Sequence, residues 1–119
     1  TQSAIIAWDR FLTKFPKHEK VKEAQKLRKQ ARGLLTNYEW AVAEFYENKK
    51  RYQGAAWRYE TIFNKYPETV RAPDAMAKAA NLYKNQLKDA DKAAAITKRL
   101  LANHPKSEAA KALQAVQSN

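Results

Sequence analysis

Apolar residues along this chain return every three or four positions, the signature of one face of an α-helix. The longest such run is Val21, Ala24, Leu27, Ala31, Leu34 and Leu35, and it continues without a strong breaker into Val42, Ala43 and Tyr46. The spacing predicts one long helix from about Glu19 to Asn48. Gly33 lies inside it, where glycine costs about 1 kcal/mol relative to alanine, and is expected to mark a bend or a close contact. Shorter helices are predicted over 2–15, 52–66, 72–86, 89–103 and 107–117. Thr69 and Ser107, just past prolines, are candidate N-caps, and Pro73 or Asp74 suits a first helical turn.

Three of the predicted helices end alike, with Arg-Phe-Leu-Thr-Lys-Phe-Pro at 10–16, Thr-Ile-Phe-Asn-Lys-Tyr-Pro at 61–67 and Arg-Leu-Leu-Ala-Asn-His-Pro at 99–105. An alanine stands twelve residues before each proline, at Ala4, Ala55 and Ala93, and four residues after it come Trp8, Tyr59 and Thr97. This is the second-helix pattern of the tetratricopeptide repeat. The first-helix pattern is partly present, with Val42, Ala43 and Tyr46 in its apolar, small and aromatic slots and Glu39 where a tryptophan is usual, so that the adjacent Trp40 is expected to take over that packing. Small residues let paired helices approach closely, the aromatics fill the space beside them, and proline stops the second helix. The fold class is therefore all-α, a tetratricopeptide-like hairpin solenoid of about six helices. The interval from Pro67 to Pro105, 38 residues, is near one repeat; that from Pro16 to Pro67, 51 residues, is too long and demands the long helix. The 119 residues then divide into a second helix of a truncated repeat (1–16), a long repeat (19–67), a last full repeat (68–105) and a capping helix (106–119). Helical periodicity from the first residues leads to the expectation that the chain is a fragment of a larger protein.

Composition agrees with helix: 2 Gly, 4 Pro and abundant Ala, Lys, Leu, Glu and Gln. No cysteine means no disulfide, thiolate chemistry or cysteine metal site. No stretch nears the roughly 20 apolar residues of a membrane span. A net charge of +11 attracts nucleic acid, anionic lipid or acidic protein. The most basic run, Lys14 to Arg32, spreads its cations around most of a helix circumference and carries no interleaved aromatic or glycine-rich readout motif, so it reads as a solvated face.

Catalytic groups are scarce. Two histidines, His18 and His104, adjoin loop prolines without a partner at metal-ligand spacing, and no nucleophile elbow, phosphate loop or zinc-protease motif occurs. Asp89 and Asp91 flank Ala90 between two helices, where carboxylates favour the next N-terminus. No enzyme activity, metal or cofactor is expected. The densest feature is aromatic: Tyr38, Trp40, Phe45, Tyr46, Tyr52, Trp57, Tyr59, Phe63 and Tyr66. Most of these are expected in the core, but Trp57 and Tyr52 fit the buried slots less well. A surface Trp57 beside Arg58 has the composition of an interface hot spot, and packing on a neighbouring helix is the other reading.

Tyr38-Glu39-Trp40-Ala41-Val42-Ala43-Glu44-Phe45-Tyr46 resembles a stretch of the BamD family, also called the YfiO or ComL family, of outer-membrane assembly lipoproteins. The similarity continues through Arg58-Tyr59-Glu60 and Tyr66-Pro67-Glu68-Thr69, then more loosely through Ala72-Pro73-Asp74-Ala75 to Lys98, and includes the long helix. The resemblance implies the C-terminal repeats of a periplasmic scaffold, lipid-anchored at the outer membrane, in the β-barrel assembly machinery. It implies docking on the membrane-proximal POTRA domain of BamA, with accessory lipoproteins as further partners, and a helix arginine in the ion pair. The matching arginine, nine residues before Pro67, is Arg58, and with Trp57, Glu60 and Tyr52 it forms the expected protein-binding set. A periplasmic coordinator of the Tol-associated type, whose loops share the Tyr-Pro and Ala-Pro pattern, is the alternative; a basic nucleic-acid-binding domain is the third.

Overall fold

The computed structural model describes residues 2–17 and 19–118. It contains six α-helices, α1 (Gln2–Lys14), α2 (Val21–Asn48), α3 (Tyr52–Lys65), α4 (Ala72–Asn81), α5 (Ala90–Asn103) and α6 (Glu108–Ser118), and no strand among the described residues. Each helix packs on the next, α1 on α2 through α4 on α5, and α6 folds back onto α4. The stack is elongated, 52 × 32 × 19 Å. Nearest-neighbour packing of antiparallel helices is how a helical solenoid builds a continuous core, and the tetratricopeptide-like fold expected from the repeats is the one observed.

Alanines set the helix spacing. Ala43 of α2 and Ala55 and Ala56 of α3 are fully buried, as are Ala72, Ala75 and Ala79 of α4. With side chains this small at the crossing points, the axes come close and larger groups interdigitate around them. Tyr59, Ile62, Phe63, Met76, Tyr83 and Leu100 fill that space at 2% exposure or less. Two of the three repeat alanines, Ala55 and Ala93, are buried, and Ala4 is half-buried. Trp40 meets Tyr59 edge-on at 5.1 Å, taking the packing place that Glu39 vacates.

Local signals mostly act where expected. Asp89 caps α5, accepting from Lys92 N at 3.1 Å, and the Ser107 hydroxyl accepts from Ala110 N at 3.1 Å at the start of α6. Thr69 is a correction: its hydroxyl donates to the Tyr66 carbonyl at 2.7 Å, tightening the preceding turn, and α4 starts from Arg71 with no side-chain cap. Pro73 in the first turn needs no N–H, so the uncapped start loses little. The segment predicted as helix to residue 86 leaves α geometry at Asn81 and continues as a π-turn, Leu82–Gln86, in which Leu87 N bonds Leu82 O at 2.9 Å. Widening one turn leaves Leu82 and Tyr83 on the buried face, so the apolar pattern could not reveal it. At Gly33 the close contact, one of the two expectations, is the other correction. The long helix runs through it, and a Cβ there would meet nothing within 4 Å, so no close contact explains the glycine.

Candidate protein-binding surface

The α2–α3 hairpin is closed by a tight turn that determines which side chains of the two helices meet. Lys50 adopts the left-handed conformation (φ 61°), Lys50 N bonds Glu47 O at 2.9 Å and Arg51 N bonds Tyr46 O at 2.8 Å. These are the paired bonds of a Schellman C-cap. Folding back from this turn brings Arg58 beside Glu39, its Nη1 donating to Oε2 at 3.0 Å. The same fold brings the Tyr59 hydroxyl onto Glu47, donating to Oε1 at 2.6 Å.

Of the four residues expected to bind protein, the helix divides two from two. The Arg58 side chain is 40% exposed while Glu39 is only 16% exposed, so the pair sits at the surface with its carboxylate on the inner side. The Glu39 hydrogen bond raises the guanidinium pKa above its ordinary value, and desolvation opposes this. Trp57 is 59% exposed and leaves its indole open to solvent, which decides between the two readings of this residue in favour of the surface. Glu60 points inward instead, 18% exposed and 3.4 Å from Lys92 Nζ. That ammonium also lies 4.6 Å over the Tyr83 ring. Tyr52 is half-buried against the core.

The rest of the aromatic string is less uniform than its composition suggests. Tyr59, Phe63 and Tyr66 are buried and Trp40, Tyr46 and Tyr52 half-buried, but Tyr38 and Phe45 are 62% and 58% exposed. Together with Leu34, these two form an exposed apolar row on α2 that the sequence reading missed. The signal for it was present: Leu27, Leu34 and Ala41 repeat at seven residues, as do Ala24, Ala31, Tyr38 and Phe45. A seven-residue repeat is the spacing of a helix–helix seam.

The basic run is partly spoken for. Arg28 pairs with Asp9, and Arg32 with Glu68, while Lys22, Lys26 and Lys29 stay exposed along one face of α2. His104 is half-buried at the C-cap of α5, and His18 lies outside the described residues. Among the described residues no group of three His, Cys, Asp or Glu side chains is placed to hold a metal, and no helix is long and apolar enough to cross a membrane. The groove between α4 and α5, lined by alanines with Lys84 and Lys98 at its edge, holds no acid–base pair.

A stack of helical hairpins with surface aromatics and cations belongs to the class of tetratricopeptide-like helical-repeat proteins. The chain is a member of the YfiO family of outer-membrane lipoproteins, whose family model matches residues 1–100. Membership links it to the outer membrane. No curated protein matches it.

Proposed function

We propose that the chain is a non-enzymatic scaffold module of outer-membrane β-barrel assembly, formed by the C-terminal repeats of its protein. In this proposal it holds the membrane-proximal POTRA domain of BamA on the surface of α3, at the periplasmic face of the outer membrane. Family membership supports the assembly role. The observation that carries the site is the adjacency of Trp57, 59% exposed, to Arg58, an arginine already presenting a charge-paired guanidinium at the surface. Tryptophan and arginine are the residue types that most often concentrate binding energy in interfaces. A partner carboxylate reaching Arg58 would gain the planar two-bond geometry that guanidinium offers, with Glu39 holding the fork in position. Glu60 and Tyr52 then act from below, fixing α3 through Lys92 and through the core.

Calorimetric titration of the chain with that POTRA domain tests the proposal. Micromolar or tighter binding is expected, weakened at least tenfold in Trp57→Ala and in Arg58→Glu. Arg58→Glu also sets two carboxylates together at Glu39, so Trp57→Ala, which changes only an exposed side chain, is the decisive variant. Unchanged affinity in Trp57→Ala, or no binding by the folded chain, overturns the proposed site.

A further inference from the structure

One face of α2 carries an ordered set of cations that the fold does not consume. Lys22, Lys26, Lys29, Gly33 and Asn37 follow one another at intervals of four, three, four and four residues, so they form a single stripe. Lys26 and Gly33 stand two positions beyond Ala24 and Ala31, about half a turn from these buried alanines, on whose side Arg28 pairs with Asp9 of α1. The stripe is therefore separate from the contact with α1. Its three lysines are exposed and make no ion pair among the described residues. At Gly33 the stripe drops into a cleft of about 540 Å³ between α2 and the α3–α4 loop, with Lys29, Asn37, Thr69, Val70 and Arg71 around it. The glycine opens this cleft, since a Cβ there would meet nothing within 4 Å. Beyond it Arg71 is held in place: its Nε donates to Asn37 Oδ1 at 2.8 Å and its guanidinium lies 4.7 Å over the Trp40 ring, which leaves the terminal nitrogens to meet a ligand. Glu68, the carboxylate that lines the cleft, is already held by Arg32.

From this arrangement we propose that the stripe and its cleft bind an extended acidic segment of another protein, with its carboxylates on Lys22, Lys26, Lys29 and Arg71 and its backbone passing over Gly33. Charge complementarity selects the acidic partner: four cations stand along the stripe, and the local carboxylate is neutralised by its own arginine. The glycine selects the extended form. Glycine weakens a helix interior, and here it leaves a gap one side chain wide, in which a partner's backbone can approach the helix closely. From Lys22 to Asn37 the stripe is about 22 Å long, the span of roughly seven residues of extended chain. Val70, 89% exposed on the loop side of the cleft, offers an apolar contact to a partner side chain. A nucleic acid fits less well, since no exposed aromatic lines the cleft for a base to stack on and Trp40 lies under Arg71. Trp57 and Arg58 take no part, and the inference does not depend on the POTRA reading.

The probe is a synthetic peptide of about nine residues alternating glutamate with valine and carrying a fluorophore. It is set against the same peptide with glutamine for glutamate and against a single-stranded DNA of equal length. Each is titrated into the whole chain by fluorescence anisotropy, and the acidic peptide also by NMR at the amides of Lys29, Gly33 and Val70. Saturable binding by the acidic peptide alone, with shifts centred on these amides, is expected. Affinity should fall at least tenfold in the double variant Lys26→Glu with Lys29→Glu, and at least fivefold in Gly33→Leu, which fills the gap. Trp57→Ala should leave it unchanged. Lys84→Glu with Lys98→Glu makes the same charge change beside the α4–α5 groove and should cost less than twofold. All four lysines are exposed, so unchanged melting curves establish that both charge variants fold. Equal loss in the two charge variants would reduce the binding to net charge and overturn the inference. Equal binding of the glutamine peptide, full affinity in Gly33→Leu or no binding at all also overturns it, as does tighter binding of the DNA, which would assign the stripe to nucleic acid.

Discussion

Arg32, near the middle of α2, holds Glu68 across the α3–α4 loop. Its Nη2 also donates to the Lys65 carbonyl at 2.6 Å, and its guanidinium lies 4.8 Å over the Tyr66 ring. One side chain thus ties the long helix to the end of α3 in three ways. Arg32→Ala is expected to cost about 1–3 kcal/mol by chemical denaturation, more than Glu68→Ala, because it removes the carbonyl bond and the ring contact as well. Glu68 is half exposed, which discounts its share of the pair. A double-mutant cycle measures the remaining coupling, and equal costs for the two variants would contradict the carbonyl and ring contributions.

Glu68 also sets a pH dependence. The hydrogen bond from Arg32 holds its carboxyl pKa below the ordinary value, with desolvation opposing. The unfolded chain therefore takes up this proton first on acidification. Its stabilisation is fully present above the ordinary carboxylate pKa of about 4.3 and is lost as pH falls through the lower folded value. Thermal melts between about pH 6 and pH 3 should show Glu68→Gln less stable at the upper end and the gap to the parent chain closing at the lower.

Tyr59 acts in the opposite range. Burial, then the hydrogen bond to Glu47, pushes its phenol well above the ordinary value of about 10. Here the folded state keeps the proton, so the contribution stands below about pH 10 and disappears as pH rises beyond it. Tyrosinate absorbance on alkaline titration should include a late component released only with unfolding, and Tyr59→Phe should remove it. That variant should also lose about 1–2 kcal/mol at neutral pH by leaving Glu47 short of a donor.

Two backbone positions carry residues that the other would suit. Gly33 sits mid-helix with open space where a Cβ would go, and Lys50 sits at φ 61° where glycine is unstrained. Gly33→Ala is expected to stabilise by about 1 kcal/mol, and Lys50→Gly to be neutral or stabilising by up to about 1 kcal/mol. Denaturant midpoints check both; a loss of stability in Gly33→Ala would show that the glycine is needed in the folded chain.

The helices and their order were legible because each signal is local. The three- and four-residue apolar spacing, the repeated alanines at 55 and 93, and the prolines at 67 and 105 act through contacts within one hairpin. The long helix was legible too, from a proline interval too great for one repeat. The π-turn was not, because Leu82 and Tyr83 keep the same buried face in either geometry. Part of the candidate surface could be read, since Trp57 broke the buried pattern of α3. Glu60 was expected at that surface, and its inward turn could not be read because its partner Lys92 is 32 residues away on α5.

By itself, then, the sequence determined an all-helical repeat with one long helix, through periodicity and punctuation that belong to neighbouring residues. Which aromatics would be core and which surface was decided by tertiary structure alone. Tyr38 and Phe45 share a heptad position with the buried Ala24 and Ala31, and the four differ only in what packs opposite each of them. Burial is a property of what lies opposite a side chain, and a helix's own residues do not specify which side chains its neighbours place there.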